Sequence, residues 1–514
     1  MNSPSFDLLT RPWLTPIGDH APDPSGLIDF FKRAHSLTDI QWPFAPAASG
    51  LSRVLTVLTA RVTGLDDPGR GFDDWAARRA VLLTKGHFDP ETVEDYFERW
   101  KDRFDLFGAR PFLQDPRLAT QCEKTSGVNK LVPRRPSGNN QVLWDHNTDL
   151  DARPLDPVDA LWGLLTLLFY GPSGRCTSRT VGGVANANSL GGPLRRTISY
   201  HSLAPTVFQS LVLSVPYPVV DPDGEDAAPW ERDEPPDPAA APPAPSGVAG
   251  VLTGRFQHAV LLSPSPDGPT VIDCRLTWAW RFPVPEVKDP YLVYLHNSKG
   301  EEYARFADAD RDLWRDLDSL LLADVGHDHR RRPGVFEGLE TGVPFDLLES
   351  LRVRSFGFDQ DGQTRDSMYI TATTPPQILQ LMLSGDGAWR ISRLRSEAER
   401  YASNLAAALR SAWTAVNDPS NGSGKPVRKE LSSGAWPSRG LARYWPAAEQ
   451  LFWQLLRDDL GGEDDPRPKF VRLALDAYDG VLDYPSVTPR MARAFALNRK
   501  RVFGISTQPT GGRS

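Results

Sequence analysis

The sequence predicts an α+β protein with a large mixed α/β N-terminal domain at residues 1–374 and a C-terminal four-helix bundle at residues 375–514. Three observations lead to this prediction. A chain of 514 residues is too long for one hydrophobic core. Before residue 375, helical stretches are interspersed with strand-like alternation. After residue 375, apolar residues recur at helical spacing.

In the N-terminal part, apolar residues at helical spacing predict helices at Ser49–Val62, Pro90–Phe104 and Pro157–Tyr170. Asp89 is expected to cap the second helix, because aspartate before a proline at the first helical position is a favoured start. The third helix is apolar almost throughout and is expected to lie in the core.

Two later segments, Gly250–Leu262 and Val271–Phe282, alternate like strands. Arg275 and Arg281 share a parity along the second segment, so both are expected on one face. Ahead of these strands, residues 221–247 are acidic and rich in proline, which is typical of a solvated linker.

The net charge of −7 conceals an uneven distribution. Residues 221–238 contain eight acidic residues and one basic residue. Residues 391–514 contain nineteen basic and thirteen acidic residues. The overall charge therefore does not exclude nucleic-acid binding.

Residues 352–373 predict a β-hairpin, because two runs of aromatic and β-branched residues flank an Asp-Gly step. The tip holds polar groups that donate and accept hydrogen bonds, including Gln360, Gln363 and Thr364. Such a tip suits insertion between bases. The hairpin alone favours a surface turn whose polar tip is solvated.

Residues 174–196 contain five glycines and four arginines, Arg175, Arg179, Arg195 and Arg196. Small residues allow a close approach of backbone to ligand, and arginines bind anions. The same composition fits a flexible loop between two helices. No Walker motif or dinucleotide-binding fingerprint is present.

A second long segment without periodicity, residues 126–157, combines basic residues with Trp144. Long loops in compact domains are usually functional or disordered. Trp144 could stack on a nucleic-acid strand, and a mobile surface loop is the alternative.

The sequence lacks the motifs of common enzyme classes. Its three cysteines are far apart and without paired histidines, which argues against a zinc site and a disulfide framework. We expect no cofactor, no metal site, no membrane span and a cytoplasmic location. An enzyme with a dispersed active site and a protein-only scaffold remain the alternatives to nucleic-acid binding.

The order of several motifs resembles the CasA family, the large subunit of the type I-E CRISPR Cascade complex. The matching segments are FDLLTRPWL, RPFLQDP, VLWDHNTD, GGPLRRTISYHSLAPTVFQSLV, VLTGRFQHAVLL, DPYLVY, LWRDLDSLL and RVRSFGFDQDGQTRD. The resemblance implies a non-catalytic subunit of antiviral defence. Its implied partners are double-stranded target DNA, guide RNA, the other Cascade subunits and a helicase-nuclease.

Carried over by position, the resemblance also implies particular contacts. A glycine loop that recognises the protospacer-adjacent motif falls at Thr180, Val181, Gly182 and Gly183. A cation that reads the minor groove falls at Arg275, where the family has lysine.

A wedge that separates the DNA strands and starts R-loop formation falls at Phe358, Asp359, Gln360, Asp361, Gly362, Gln363 and Thr364. Gln363 is nearest the inserting glutamine, and the hairpin length leaves Gln360 as the alternative. A loop that contacts the 5′ handle of the guide RNA falls at Leu143, Trp144, Asp145 and His146.

Overall fold

The computed structural model describes residues 4–19, 22–133, 135–137, 148–321, 332–360, 366–376, 385–417, 434–458, 465–482 and 487–504. The chain divides into two compact units. One comprises Met1–Leu313 and Ser319–Gln380, and the other Trp314–Asp318 and Leu381–Ser514. Helices and strands are both abundant among the described residues, so the predicted mixed character of the protein is confirmed.

In chain order, the first ten helices are α1 Leu27–Arg33, α2 Ala48–Thr63, α3 Phe72–Lys85, α4 Pro90–Trp100, α5 Leu118–Gln121, α6 Pro157–Tyr170, α7 Val207–Ser214, α8 Gly247–Thr253, α9 Leu317–Leu321 and α10 Phe345–Ser350. Three of them, α2, α4 and α6, confirm helices predicted from periodicity. The Asp89 side chain accepts a hydrogen bond of 3.1 Å from the Glu91 amide, as expected of an N-cap.

The strands are β1 Thr15–Gly18, β2 Leu37–Gln41, β3 Gly174–Val181, β4 Val184–Ser189, β5 Ile198–Leu203, β6 His258–Pro264, β7 Val271–Trp278, β8 Tyr294–His296, β9 Glu302–Ala304, β10 Arg352–Gln360 and β11 Asp366–Thr373. Strand β10 lies between β5 and β11, and both neighbours are antiparallel to it. The predicted hairpin at residues 352–373 is therefore present, and β5 anchors one of its arms. We call β10–β11 the long hairpin.

The core of the first unit contains a buried ion pair between helix α2 and the segment before β8. Arg53 Nη2 lies 3.2 Å from Asp289 Oδ1, and both side chains are inaccessible to solvent. Arg255 contacts the same carboxylate. Burial alone would raise the pKa of Asp289, but the two guanidinium groups hold it below its usual value. Asp289 is therefore charged in the fold and fixes three segments together.

The prediction of a solvated linker at residues 221–247 is wrong for part of the segment. Arg61, on the last turn of α2, contacts Asp66, Asp226 and Glu231, with distances of 3.1 Å to Asp226 and 2.9 Å to Glu231. Trp230, next to Glu231, is 2% exposed. Two acidic residues of the segment therefore point inwards to a shared arginine, which the composition of the segment could not reveal.

The predicted strand at Gly250–Leu262 is also wrong in its first half. Residues 247–253 form helix α8, which is buried on every side, and strand β6 begins only at His258. A Cβ at Gly250 would clash with the carbonyl oxygen of Glu225. Uniform burial removes the polar face by which helical periodicity is recognised.

In the second unit, the described residues form four α-helices: α11 Gly385–Asn417, α12 Ala435–Asp458, α13 Arg467–Asp479 and α14 Pro489–Asn498. The predicted apolar stripe on α11 is buried at every position, namely Ile391, Leu394, Ala398, Tyr401 and Leu405. The Tyr444 hydroxyl donates a 2.8 Å hydrogen bond to the Ala398 carbonyl and joins α12 to α11. Among the residues that the structure describes, no helix has the length and hydropathy needed to cross a membrane.

Candidate nucleic-acid interface

The glycine-rich segment forms a β-hairpin rather than a flexible loop. Strands β3 and β4 pair antiparallel, with Val181 opposite Val184, so Gly182 and Gly183 are the two residues of the turn. Their φ angles are +59° and +75°. Positive φ at both central residues is the signature of a type I′ turn, the tightest connection between antiparallel strands. We call β3–β4 the glycine hairpin.

The turn of the glycine hairpin is open to solvent. A Cβ built on Gly182 or Gly183 would meet no atom within 4 Å. Thr180 is exposed on one side of the turn and Val184 is 53% exposed on the other. Backbone conformation therefore accounts for the two glycines, and the absence of side chains leaves room for a ligand surface to approach closely.

Strand β7 holds the glycine hairpin in place through hydrogen bonds. The Thr277 hydroxyl donates to the Thr177 carbonyl at 2.6 Å, and the Trp278 indole donates to the Asn186 carbonyl at 2.9 Å. Both arms of the hairpin are thus attached to the strand that carries Arg275. The structure brings these two predicted elements together.

The arginines of residues 174–196 differ in burial, so they differ in whether they can reach a ligand. Arg179 has no exposed surface and donates to Asp115 at 2.7 Å and Gln121 at 2.8 Å. Burial lowers its pKa against the opposing effect of Asp115. Arg179 therefore fixes the fold and does not bind an external anion, contrary to expectation. Arg175 remains exposed on β3.

Arg275 and Arg281, which the sequence pattern placed on one face, contact different parts of the structure. Arg275 is half-buried, and its Nε donates to the Cys122 carbonyl at 3.4 Å. Arg281, beyond the end of β7, donates from Nη2 to the Val181 carbonyl at 3.0 Å, directly beside the turn. The sequence pattern grouped Arg281 with Arg275 but assigned it no contact at the turn. Its shared parity with Arg275 was the available signal.

At the end of the long hairpin, Gln360 does not lie on an exposed tip. It is 4% exposed, and its Oε1 accepts from the Arg196 amide at 3.0 Å while Nε2 donates to Asp366 Oδ1 at 2.7 Å. Phe358 is 7% exposed and packs edge-on against Tyr170. Burial thus excludes Gln360 and Phe358 from the accessible wedge.

The remaining wedge residues are described only in part. Asp359 is half-buried and accepts from the Ala309 amide at 3.1 Å. Asp361, Gly362, Gln363 and Thr364 lie outside the described residues, as do Leu143, Trp144, Asp145 and His146.

The carbonyl of Tyr170 is bonded to the described end of the long hairpin and to Arg195, which follows the glycine hairpin in the chain. This oxygen accepts from Arg195 Nη1 at 2.9 Å and from Gln360 Nε2 at 3.4 Å. Strand β3 begins four residues later, at Gly174. Arg195 Nη1 also lies 2.9 Å from Asp366, the first residue of β11. The described end of the long hairpin is therefore bonded to the segments that directly precede and follow the glycine hairpin in the chain.

Over the described ranges, histidine, cysteine and acidic side chains form no group of three that could hold a metal ion. The imidazoles of His201 and His258 are buried, and burial lowers the pKa of both.

Comparison with known proteins identifies the family. Residues 7–478 match the family model for CRISPR-associated protein Cse1. The chain belongs to this family. A curated relative from Thermus thermophilus, CRISPR-associated protein CasA/Cse1, is 27% identical over 343 residues. That alignment covers 62% of this chain and 61% of the length of the relative. The resemblance to the CasA family is confirmed.

Solved structures of similar chains extend the match to nearly the full length. A chain from a CRISPR RNA-guided surveillance complex is 43% identical, with a TM-score of 0.85 over 97% of this chain and 100% of the other. A second, from such a complex in a pre-nicking state, is also 43% identical, with a TM-score of 0.78 over 97% and 99%. The family fold therefore covers both units.

Proposed function

We propose that this chain is the non-catalytic large subunit of a CRISPR RNA-guided surveillance complex. In this role it recognises the protospacer-adjacent motif in double-stranded DNA and starts R-loop formation. Two chains from such complexes are 43% identical to it over almost the whole length, which supports the assignment. The proposed partners, guide RNA and invading DNA, support a cytoplasmic location as part of this proposal.

The observation that carries the duplex-binding role is the exposed two-glycine turn. In the loop of Thr180, Val181, Gly182 and Gly183, the two glycines present backbone donors and acceptors without side chains, so the turn can enter a narrow groove. The minor groove distinguishes base pairs only coarsely, and a short backbone contact there gives a permissive preference. Arg275 and Arg281 add positive charge along the same hairpin.

The strand-separating role belongs to residues 361–364 in this proposal, with Gln363 as the inserting residue. Phe358 and Gln360 act as the rigid base beneath them, since both are buried and Gln360 is bonded to β11. A wedge needs such support, because unstacking one base step costs a few kcal/mol.

The remaining contacts complete the proposed role. Residues 143–146 contact the 5′ handle of the guide RNA, and the assembled subunit recruits the helicase-nuclease. Helices α11–α14 constitute a four-helix bundle in this proposal, because helices of this length with apolar stripes can pack antiparallel around one core. The N-terminal domain comprises residues 1–374 in this division.

The experiment that tests this function is duplex binding by the complex assembled with and without this chain, over a panel of flanking motifs. We expect motif preference and a steep salt dependence only when the chain is present. Equal affinity and equal preference in its absence would refute the assignment. Turnover of a substrate by the purified chain alone would favour an enzyme instead.

A further inference from the structure

Two aromatic side chains lie side by side on the surface next to the long hairpin. Phe306 is 46% exposed and Tyr303 is 36% exposed. Their ring centroids are 5.6 Å apart at an angle of 49°. Exposed rings offer faces on which a nucleic-acid base can stack, whatever its identity.

An arginine extends over the same ring. The Arg196 guanidinium carbon lies 4.4 Å from the centroid of Phe306. The guanidinium plane of an arginine stacks on nucleic-acid bases as well as on aromatic side chains. The three side chains of Arg196, Tyr303 and Phe306 constitute what we call the stacking platform.

The residue whose side chain covers Phe306, Arg196, has a strained backbone conformation. Its φ is +67°, a conformation that is uncommon for residues other than glycine. Two hydrogen bonds enforce it: the amide donates to Gln360 Oε1 at 3.0 Å, and the carbonyl accepts from Ala307 at 2.8 Å. Glycine would adopt this conformation without strain. The presence of arginine instead indicates that the side chain has a use, since strain of this kind clusters at functional sites.

The platform is next to the described end of β10. Asp359, the penultimate residue of that strand, accepts from the Ala309 amide at 3.1 Å, three residues after Phe306. Asp308 is exposed in the same segment. These carboxylates disfavour a phosphate backbone that runs along the platform. A single uncharged base turned out of its duplex is not repelled by these carboxylates, so it is the ligand that fits the platform.

From these contacts, and resting on the function proposed above, we propose that the stacking platform receives one unpaired base as the long hairpin parts the DNA strands. Holding that base slows re-pairing of the duplex. The platform thus stabilises the product of strand separation and leaves the initial recognition of the duplex unaltered.

The test combines Phe306→Ala with target duplexes that carry an abasic site at successive positions beside the motif. The assembled complex is used, and the rate of strand opening is followed by fluorescence of 2-aminopurine in the target. We expect one abasic position to slow the wild-type complex by about tenfold, on the order of one stacked base. Phe306→Ala should slow opening of the intact duplex similarly, and that abasic position should slow the variant no further.

Two further variants separate the platform from general damage. Arg196→Gly retains the backbone conformation and removes the cation, so it should slow opening without weakening duplex binding. Phe345→Ala removes an aromatic residue that is 64% exposed elsewhere, and should change neither. Normal duplex opening with the same abasic penalties in wild type and Phe306→Ala would overturn the platform while the proposed function stands. No motif-dependent binding by the wild-type complex would refute both.

Discussion

The Arg281 guanidinium donates a hydrogen bond of 3.0 Å to the carbonyl of Val181, the residue that precedes the glycine turn. This contact joins the segment after β7 to the glycine hairpin beside its turn. The hydrogen bonds from Thr277 and Trp278 hold the hairpin further from the turn, at Thr177 and Asn186. A cation therefore lies where the backbone of the turn would meet a duplex, and it also fixes the position of that turn.

Substitution of Arg281 should weaken duplex binding. We expect Arg281→Gln to reduce the affinity of the complex for motif-bearing DNA by roughly tenfold, because a cation beside phosphates contributes to counterion release. The slope of log affinity against log salt should fall by about one in the measured titration. Arg99→Gln, at an exposed arginine of α4, is the charge-matched control. An unchanged slope for Arg281→Gln would leave Arg281 with a purely structural role.

The glycine turn can be tested with an isosteric pair, Gly183→Asn and Gly183→Asp. Asparagine and aspartate both tolerate positive φ in turns, so the hairpin should form in either variant. We expect Gly183→Asn to reduce duplex affinity moderately by bulk. Gly183→Asp should reduce it much further, because a carboxylate would face DNA phosphates. Gel-shift titrations at two salt concentrations measure both effects, and equal affinities of the two variants would argue against close contact with DNA.

The two glutamines of the long hairpin should give opposite phenotypes. Gln360→Ala leaves the buried amide of Arg196 without its acceptor, so we expect a loss of about 1–3 kcal/mol in the free energy of unfolding. Gln363→Ala should leave stability intact and slow R-loop formation. Urea unfolding and R-loop kinetics on both variants check this. A stable Gln360→Ala protein with slow strand opening would reverse the assignment.

Histidine burial predicts a pH dependence of stability. Desolvation lowers the pKa of His258 to about 4, although the Pro172 carbonyl opposes this effect. An unfolded histidine titrates near 6.5, so between about pH 6.5 and 4 the unfolded chain binds a proton that the folded chain excludes. The free energy of unfolding should therefore fall by about 1.4 kcal/mol per pH unit towards low pH from this group. His258→Gln should make that decline shallower in urea unfolding at pH 4.5 and 6.5. An identical decline would contradict the proton exclusion.

Local patterns predicted the regular elements well. Helices α2, α4 and α6 and the long hairpin follow from periodicity, an N-cap and an Asp-Gly step, all of which act over a few residues. The acidic segment at residues 221–247 was misread in part because Asp226 and Glu231 pair with Arg61, more than 150 residues away in sequence. Long-range ion pairs leave no local trace.

The candidate site shows the same division. The composition of the segment marked Gly182 and Gly183 as candidate ligand contacts. Their place in a two-residue turn depends on the pairing of β3 with β4, which the polar, arginine-containing sequence did not indicate. Gln360 and Arg179 carry side chains suited to nucleic acid and yet are buried, because each satisfies distant backbone or side-chain partners. Residue type alone could not separate these anchors from accessible contacts.

The most direct test of duplex recognition by the glycine hairpin is cleavage of target DNA from a chemical nuclease attached beside its turn. Val184→Cys offers an exposed attachment point in a Cys176→Ala background, since Cys122 and Cys274 are buried. Val81→Cys on α3, at a residue that is 64% exposed, is the matched control. We predict cleavage from position 184 confined to the minor groove of the motif flanking the target, and none there from position 81. Cleavage spread evenly along the duplex, or equal from both positions, would contradict the account.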